Sequence, residues 1–215
     1  MLKLHTYFRS SASYRVRIAL NLKGLPFESV GVHLVRDGGA QHSLDYAALN
    51  PTRLVPTLQD NEHTFLQSLA ILEYLEETHP TPALLPPDAP ARARVRALAQ
   101  TIACEIHPLN NLRVLQYLTQ ELKIDDVAKT AWYRHWVTLG FTALESLLAS
   151  SSHTGAFCHG NTPTIADCCL VPQVANARRF AISLEAFPCI VRIDAACLAL
   201  DAFVQARPEE QPDAV

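Results

Sequence analysis

Residues 2–23 read LKLHTYFRSSASYRVRIALNLK, and this stretch decides the fold of the first part of the chain. Leu2 to Tyr7 alternates apolar and polar residues, which predicts a half-buried strand. The hydroxyls of residues 10–13 are suited to cap a helix, and the apolar residues that follow recur with helical spacing. We therefore predict a strand, a turn of small polar residues, and a helix from about Ser13 to Lys23 that ends at Gly24.

Strand and helix signals keep alternating as far as residue 79. The sequence predicts strands over Phe27–His33, Thr57–Gln59 and His63–Leu66, and helices over Ser43–Leu49 and from Ser68 to His79. Ser68 is the predicted N-cap of the last helix. The resulting order is βαβαββα, which places this part in the α/β class.

Prolines mark the boundary to the second part of the chain. Five of them fall within residues 79–90, where neither a helix nor a strand can persist. Downstream, Ala/Leu-rich helical patterns follow one another with almost no strand signal. We therefore predict an α/β domain over residues 1–79, a linker over 80–90, and an all-helical domain over 91–215.

Three patterns define the predicted helical domain. One long helix is expected from Val95 onward, bent or interrupted at Pro108. A second helix carries an apolar set in which Trp132 and Trp136 are expected to be core residues. The segment from Thr164 to Asp167 matches a capping box, with Asp in the usual Glu/Gln place, and predicts the start of a buried helix.

The composition is that of a chain with a sizeable core. Of 215 residues, 49% are hydrophobic and 18% are charged, and the formal net charge is -3. No run of basic residues offers a surface to nucleic acid or to anionic lipid. The first residues lack an apolar signal core, and no stretch of about 18 apolar residues occurs. We therefore expect a soluble cytoplasmic protein that binds neither nucleic acid nor a membrane.

The cysteines and histidines give no metal-binding pattern. The six cysteines include no Cys-x-x-Cys pair, and the nine histidines include no His-x-x-x-His pair. A zinc site is therefore disfavoured, and no metal is expected. Cys168, Cys169 and Cys197 lie in Ala/Leu/Val-rich surroundings, so most of the cysteines are predicted to be small buried core residues.

The turn Ser10-Ser11-Ala12-Ser13 stands where thioredoxin-like domains carry their chemistry. A βαβ unit with such a turn, followed by Val55-Pro56 before a hairpin, is the layout of that fold. Redox members need Cys-x-x-Cys at the turn, so this one cannot exchange dithiols. Its hydroxyls can instead donate to an external thiolate; the alternative is that all three serines only cap the helix.

The motif RSSASYRVRIAL of residues 9–20 resembles the signature of zeta-class glutathione transferases, a family that contains maleylacetoacetate and maleylpyruvate isomerases. Matching segments cover nearly the whole chain, including Ala48–Pro51, Val55–Leu58, Gln67–Ile71 and Ala166–Phe180. The family often has a cysteine where this chain has Ala12, so a mechanism that needs a protein thiol there is disfavoured. The resemblance implies the glutathione transferase fold, with a thioredoxin-like domain followed by an all-helical domain.

The resemblance also implies a glutathione site. Ser10 would be the main donor to the thiolate, with Ser11 as the fallback. Val55, before a cis-Pro56, would pair its backbone with the cysteinyl part of glutathione. Gln67 and Ser68 would hold the γ-glutamyl carboxylate at a helix N-terminus. Further implied contacts come from Ser13, Gln41, His107, Asn111 and Arg113, the last four from the same or the neighbouring subunit.

Two arginines match family positions that face a dicarboxylate substrate. They are Arg9, beside the serine turn, and Arg179, after the helix of the second domain. The planar guanidinium suits this task because it binds a carboxylate at two points. Solvation at the surface is the alternative for each, and one member of Arg178-Arg179 is expected to be merely exposed. For His107 the alternative is a capping role beside Pro108.

The resemblance implies a homodimeric, glutathione-dependent cis-trans isomerase of a maleyl dicarboxylate, with 4-maleylacetoacetate as the first choice. Glutathione would be the cofactor, because it is returned unchanged. The nearest alternative is a maleylpyruvate isomerase of gentisate catabolism. A non-catalytic glutathione-binding protein of the same fold is the third hypothesis.

Overall fold

The first strand lies inside a four-stranded mixed sheet in the computed structural model, which describes residues 1–214. Strand β1 (Leu2–Thr6) pairs in parallel with β2 (Phe27–Gly31) and antiparallel with β3 (Thr57–Asp60). Strand β3 pairs in turn with β4 (His63–Leu66) across the predicted hairpin. Alternate residues of β1 are buried, which confirms the half-buried strand. The sheet order is therefore β2-β1-β3-β4.

Helix α1 (Ser11–Leu22) begins two residues earlier than predicted. Its N-cap is Ser10, whose hydroxyl accepts a hydrogen bond from the Ser13 amide, so Ser13 lies inside the first turn. Gly24 follows the helix with φ of 63°, as the sequence predicted, because glycine enters the left-handed region without a steric penalty. Helices α2 (Leu44–Leu49) and α3 (Ser68–Thr78) complete the predicted βαβαββα order. The predicted fold class is thereby confirmed.

A second compact unit, residues 85–197, contains helices only among the residues that the structure describes. These are α4 (Ala89–Gln100), α5 (Leu112–Gln120), α6 (Asp126–Ala149), α7 (Ile165–Arg179) and α8 (Pro188–Leu198). The predicted interruption at Pro108 is confirmed, but α4 first widens into a π-helical turn over Thr101–Ile106. At Gly140 a Cβ atom would lie 2.3 Å from Ile106, so α6 requires glycine to pack against this turn.

The end of the described chain packs differently from the prediction, which assigned it to the helical domain. Residues 198–214 belong to one compact unit with residues 1–84. They include the short helix α9 (Asp201–Val204), where the Phe203 carbonyl accepts from Tyr14 Oη at 3.3 Å. The cause is the burial of α1 on every side, since a helix covered by the sheet on one face needs another element on the opposite face.

The buried stripe of α6 differs from the predicted one. It consists of Tyr133, Val137, Phe141, Leu144 and Leu148. Trp132 and Trp136 flank this stripe and are only partly buried, so the expectation that they are core residues is wrong. The indole of Trp132 donates instead to the Leu109 carbonyl at 2.9 Å. Each tryptophan is one position away from the inward-facing row, which hydrophobicity alone does not reveal.

The capping box at the start of α7 is confirmed. Asp167 Oδ2 accepts hydrogen bonds from the amide and the hydroxyl of Thr164, both at 2.7 Å. The other carboxylate oxygen accepts from the Cys158 amide at 2.8 Å. Burial raises the pKa of Asp167, and these hydrogen bonds oppose that rise because they favour the ionised form. The carboxylate thus joins the loop before α7 to its first turn.

Four of the six cysteines are buried as predicted. They are Cys158, Cys168, Cys169 and Cys197. Cys189 is partly buried, whereas Cys104 is exposed, and all six are free thiols. Every helix among residues 1–214 is too short or too polar to span a lipid bilayer.

A buried ion pair connects helices α1 and α3 of the first unit. Lys23 Nζ donates to Glu76 Oε2 at 2.8 Å and to the carbonyls of His79 and Pro82 at 2.6 and 2.9 Å. Glu76 also accepts from the Leu84 amide. The pair therefore holds the ends of α1 and α3 together with the proline-rich segment that follows them.

We predict that Glu76→Gln lowers the free energy of unfolding by about 3–5 kcal/mol, because it leaves the buried Lys23 charge without its counter-charge. The matched control is Glu28→Gln, which breaks the exposed pair with Lys3 and should cost about 0–1 kcal/mol. Urea unfolding of both variants measures the difference. Equal losses would contradict the assigned importance of the buried pair.

Candidate active site

Three hydrogen bonds of Ser10 order the serine turn: one is donated by its amide, and two are accepted by its carbonyl and hydroxyl oxygens. The Ser10 amide donates to the Tyr7 carbonyl at 2.9 Å, and the Ser10 carbonyl accepts from Tyr14 at the same distance. Its hydroxyl oxygen accepts from the Ser13 amide at 3.2 Å. A hydroxyl that accepts through a lone pair still carries a proton to donate. Capping and donation to a thiolate are therefore compatible at Ser10.

The three serines differ in how far a ligand can reach them. Ser10 is partly exposed, Ser11 is 6% exposed and Ser13 is 0% exposed. The Ser13 side chain is therefore not accessible for the predicted contact with glutathione. Ser13 acts through its amide, which completes the cap on Ser10. Ser10 is the best-placed hydroxyl at the positive end of the α1 dipole.

The start of α3 is arranged differently from the prediction. The N-cap is Gln67 rather than Ser68, and the side chain of Gln67 makes no capping hydrogen bond. Gln67 is exposed and has φ of 68°, the left-handed region that costs a non-glycine residue about 1–2 kcal/mol. Such strain persists only where the surrounding structure imposes it, and it concentrates at ligand-binding positions.

Ser68 is the first helical residue of α3 and meets a buried charge. Its hydroxyl accepts a hydrogen bond from Arg15 Nη1 at 3.1 Å. Arg15 is 2% exposed and Ser68 is 6% exposed. Because the arginine donates to the serine oxygen, the serine proton is available to an acceptor outside the protein. A cationic group, a hydroxyl and a helix N-terminus therefore coincide, which is the chemistry of an anion site.

Val55 and Gln41 lie in the loops of the same unit. The bond between Val55 and Pro56 is cis, which confirms that expectation, and Val55 belongs to a buried apolar cluster with Tyr7 and Phe8. Gln41 Nε2 donates to the Leu34 carbonyl at 3.1 Å, so this part of the amide is used inside the protein. Its Oε1 is buried and has no hydrogen-bond partner among residues 1–214.

Three predicted residues meet at the start of α5, in the second unit. Asn111 is the N-cap of α5, and its Oδ1 accepts from the Arg113 amide at 3.1 Å. Its Nδ2 lies 3.5 Å from His107 Nε2. His107 occupies the N-cap position of the turn that begins at Pro108, but its imidazole makes no capping hydrogen bond there. The side chains of His107 and Asn111 thus lie together, and Asn111 also binds the backbone of Arg113.

The two candidate substrate arginines are both exposed. The guanidinium of Arg9 lies 4.9 Å from the centre of the Phe8 ring. Arg179 ends α7 and lies 5.1 Å from the Phe180 ring, with a hydrogen bond to Asn176 Oδ1. Stacking on a ring orients a guanidinium and uses none of its N–H groups, so those not bonded within the protein can meet a carboxylate.

The neighbouring Arg178 has a different role from Arg179. It forms an ion pair with the buried carboxylate of Asp194 at 2.6 Å. It is therefore a structural residue, whereas Arg179 faces Tyr133. Burial raises the pKa of the Tyr133 hydroxyl, and the charge of Arg179 opposes that rise. The expectation that one member of this pair is merely exposed is therefore not met, since Arg178 is paired with Asp194 and Arg179 is bonded to Asn176.

Two buried arginines of α1 escaped the sequence analysis. Arg15 supports Ser68, and Arg17 is 0% exposed and bonded to the backbone beside the serine turn. The available signal was the presence of two arginines in a helix whose other residues predict burial. Charged side chains in such a place need specific partners, and those partners mark the site.

Comparison with known proteins shows the family to which the chain belongs. A family model described as the N-terminal domain of glutathione S-transferase matches residues 4–83. A probable maleylacetoacetate isomerase of Vibrio cholerae is 52% identical over 211 residues, which are 98% of this chain and 97% of that protein.

Two solved structures extend the similarity to the whole fold. The holo structure of a maleylpyruvate isomerase, described as a bacterial zeta-class glutathione transferase, superposes with a TM-score of 0.96 at 50% identity, covering 99% of this chain and 100% of that one. A maleylacetoacetate isomerase of Methylobacterium extorquens, solved with malonate and glutathione bound, gives 0.95 at 42% identity, covering 99% of each chain. The fold is that of a glutathione transferase. The chain belongs to the zeta class of that family.

We predict that Gln67→Gly raises the free energy of unfolding by up to about 1 kcal/mol, because glycine removes the left-handed strain, while glutathione binding weakens. Gln67→Ala is the matched control, since it removes the same side chain but keeps the strain. It should weaken binding to the same extent without stabilising the protein. Chemical unfolding and calorimetric titration with glutathione measure both quantities; unchanged affinity in both variants would remove the Gln67 side chain from the site.

Proposed function

We propose that the protein is a glutathione-dependent cis-trans isomerase that converts 4-maleylacetoacetate to 4-fumarylacetoacetate. The observation that carries the proposal is the partly exposed Ser10 hydroxyl at the N-terminus of α1. The sequence identity of 52% to a probable maleylacetoacetate isomerase supports it. An enzyme of this reaction needs a thiolate donor, an anchor for the tripeptide and cations for a dicarboxylate. The described residues include a candidate for each.

The residues of the turn fit a thiolate. Bound glutathione supplies a nucleophilic sulfur that adds to the conjugated double bond, allows rotation about it and then leaves. Ser10 donates its hydroxyl proton as a hydrogen bond to that sulfur, while its oxygen keeps the cap on Ser13. The α1 dipole favours negative charge at the same place. Ser11 lies next to Ser10 and is the fallback donor.

The main task of the turn is to lower a pKa. A free thiol with a pKa of about 8.5 is only about 3% ionised at pH 7. Lowering the pKa by about two units would raise the ionised fraction to about 75%. A hydrogen bond to the charged form and a helix N-terminus are two of the ordinary causes of such a shift.

The start of α3 fits the γ-glutamyl carboxylate. Ser68 offers a hydroxyl proton, because its oxygen is occupied by Arg15, and the charge of Arg15 lies behind it. Gln67 adds an exposed amide at the helix N-terminus. The backbone of Val55 would pair with the cysteinyl part, and Gln41 is proposed as a further contact to glutathione.

Arg9 and Arg179 are proposed to bind the carboxylates of the substrate. Both present a guanidinium that stacks on a phenylalanine and is open to solvent. The relative from Methylobacterium extorquens was solved with malonate, a dicarboxylate, together with glutathione. That relative supports a dicarboxylate substrate for this chain.

Maleylpyruvate is the second candidate substrate. It is favoured by the likeness to a maleylpyruvate isomerase and by the polar residues His107, Asn111 and Arg113, which could also meet a shorter 2-oxo acid. Purified protein assayed with each acid and glutathione decides between the two substrates. A larger kcat/KM for maleylpyruvate would reverse the choice, and glutathione binding without turnover of either acid would favour a non-catalytic protein.

We also propose that the enzyme is a cytoplasmic homodimer in which His107, Asn111 and Arg113 contact glutathione from the same or the neighbouring subunit. The homodimer is proposed from the resemblance to the zeta-class family. Light scattering on the purified protein gives the mass in solution. A monomer that retains full activity would overturn this part of the proposal.

We predict that Ser10→Ala lowers kcat/KM about twentyfold or more at pH 7 and recovers much of it at about pH 9, where the thiol ionises without help. Ser10→Gly is the matched control, because glycine at an N-cap costs only a few tenths of a kcal/mol whereas alanine costs about 1 kcal/mol. Equal kinetic losses with unequal stability losses would assign the effect to the hydroxyl. A loss that does not change with pH would leave Ser10 as a cap only.

We predict that Arg9→Leu and Arg179→Leu each raise the KM for the maleyl substrate more than they change glutathione affinity. Arg36→Leu removes another exposed arginine and is the control. Steady-state kinetics with each substrate varied in turn provide the measurement. A variant that keeps the wild-type kcat/KM would show that its arginine does not bind the substrate and is only a solvated surface residue.

A further inference from the structure

The backbone just before Arg9 and Ser10 is held by residues from the far end of the described chain. The Phe8 amide donates to Asp213 Oδ2 at 3.0 Å, a contact across 205 positions of sequence. Asp213 also lies against Gly31, where an added Cβ atom would be 3.4 Å from it. Its carboxylate thus lies at the parallel edge strand β2 and at the entrance to the serine turn.

The carbonyl groups of Tyr7 and Phe8, on either side of that amide in the chain, are held by Arg17. Its Nη2 donates to the Phe8 carbonyl at 3.1 Å, and its Nε donates to the Ala206 carbonyl at 3.0 Å. Nη1 donates to Thr6 Oγ1 and to the Tyr7 carbonyl. One guanidinium therefore joins β1, the serine turn and the segment around Ala206.

The charge of Arg17 persists at neutral pH despite its burial. Burial lowers the pKa of Arg17 to about 10, and the negative charge of Asp213 opposes this fall. Gln211 donates to the carbonyls of Gln205 and Arg207, which folds the segment so that it reaches back to Phe8. The segment and the arginine therefore support each other.

These bonds determine the placement of Ser10. The Tyr7 carbonyl accepts from both Arg17 and the Ser10 amide, while both backbone polar groups of Phe8 are bonded to Arg17 or Asp213. The φ and ψ angles that lead into Ser10 are thus fixed from two sides. A donor that must meet a sulfur atom loses much of its effect when displaced by about 1 Å.

We propose that Asp213 and Arg17 are positioning residues for the Ser10 hydroxyl, so that residues 206–213 belong to the thiol-activating apparatus although they touch neither glutathione nor the substrate. The proposal rests on the proposed function, because it assigns Ser10 as the donor to the thiolate. It goes beyond that function by making the activation depend on a remote segment of the sequence.

The test compares Asp213→Ala, Asp213→Asn and the control Glu210→Ala in the full chain. The asparagine substitution keeps an oxygen for the Phe8 amide, whereas the alanine substitution removes the acceptor; Glu210 is an exposed carboxylate of the same segment. The thiolate absorbance of bound glutathione is titrated from pH 5 to 10, and kcat/KM is measured at pH 7 and 9. We expect Asp213→Ala to move the titration midpoint to higher pH and to lose about tenfold in kcat/KM at pH 7, with a smaller loss at pH 9.

Asp213→Asn should fall between Asp213→Ala and the wild type, and Glu210→Ala should match the wild type. Asp213→Ala is also measured in the Ser10→Ala background, where it should have little further effect if it acts through Ser10. Additive losses, or a lowered melting temperature with an unchanged titration midpoint, would overturn the proposal. A wild-type protein that binds no glutathione would instead overturn the proposed function, so the two failures are distinguishable.

Discussion

The burial of helix α1 is the constraint on which the first unit depends. Residues 11–20 are all buried, so the helix must be covered by the sheet, by α3 and by the segment around α9. Two of those buried residues are arginines, and each needs acceptors that water cannot supply. Arg15 finds one in Ser68 and Arg17 finds several beside the serine turn. The candidate site is therefore built from the partners that two buried cations require.

The serine turn likewise combines a structural need with a chemical one. A helix that begins inside the protein needs a side chain to accept from its first amides, and Ser10 does so. A hydroxyl performs this task with its oxygen alone, which leaves the proton for another acceptor. Asparagine or aspartate would cap equally well, but aspartate would repel a thiolate. A serine at this position is thus suited to both tasks.

Much of the fold of both units could be predicted from local patterns. Alternation in Leu2–Thr6, the hydroxyls before α1, Gly24 and the capping box at Thr164 each act within a few residues, and the structure confirms them. The errors concern contacts that no local pattern records. The positive φ of Gln67 is imposed by its surroundings, so propensity pointed to Ser68 as the cap. The packing of residues 198–214 depends on how many faces of α1 need cover.

The candidate site likewise contains residues that the sequence predicted and residues that it missed. Ser10, Ser11, Gln67 and Ser68 could be named from sequence motifs, because each lies at or beside the start of a helix. Ser13 was included because hydroxyl spacing does not distinguish an accessible serine from a buried one. Arg15, Arg17 and Asp213 were missed because they act at a distance in sequence. The helical sequence around the two arginines predicted burial, but it did not name their partners.

The discontinuity of the first unit has a consequence for biosynthesis. Residues 85–197 form an uninterrupted unit, so all of that unit is synthesised before residues 198–214 are made. The unit that begins the sequence lacks the acceptors of Tyr14 and Arg17 at Phe203 and Ala206 until that last segment emerges from the ribosome. During synthesis, α1 therefore remains partly exposed to solvent, whereas residues 85–197 can already fold. The order of folding along this nascent chain is expected to run against the order of its sequence.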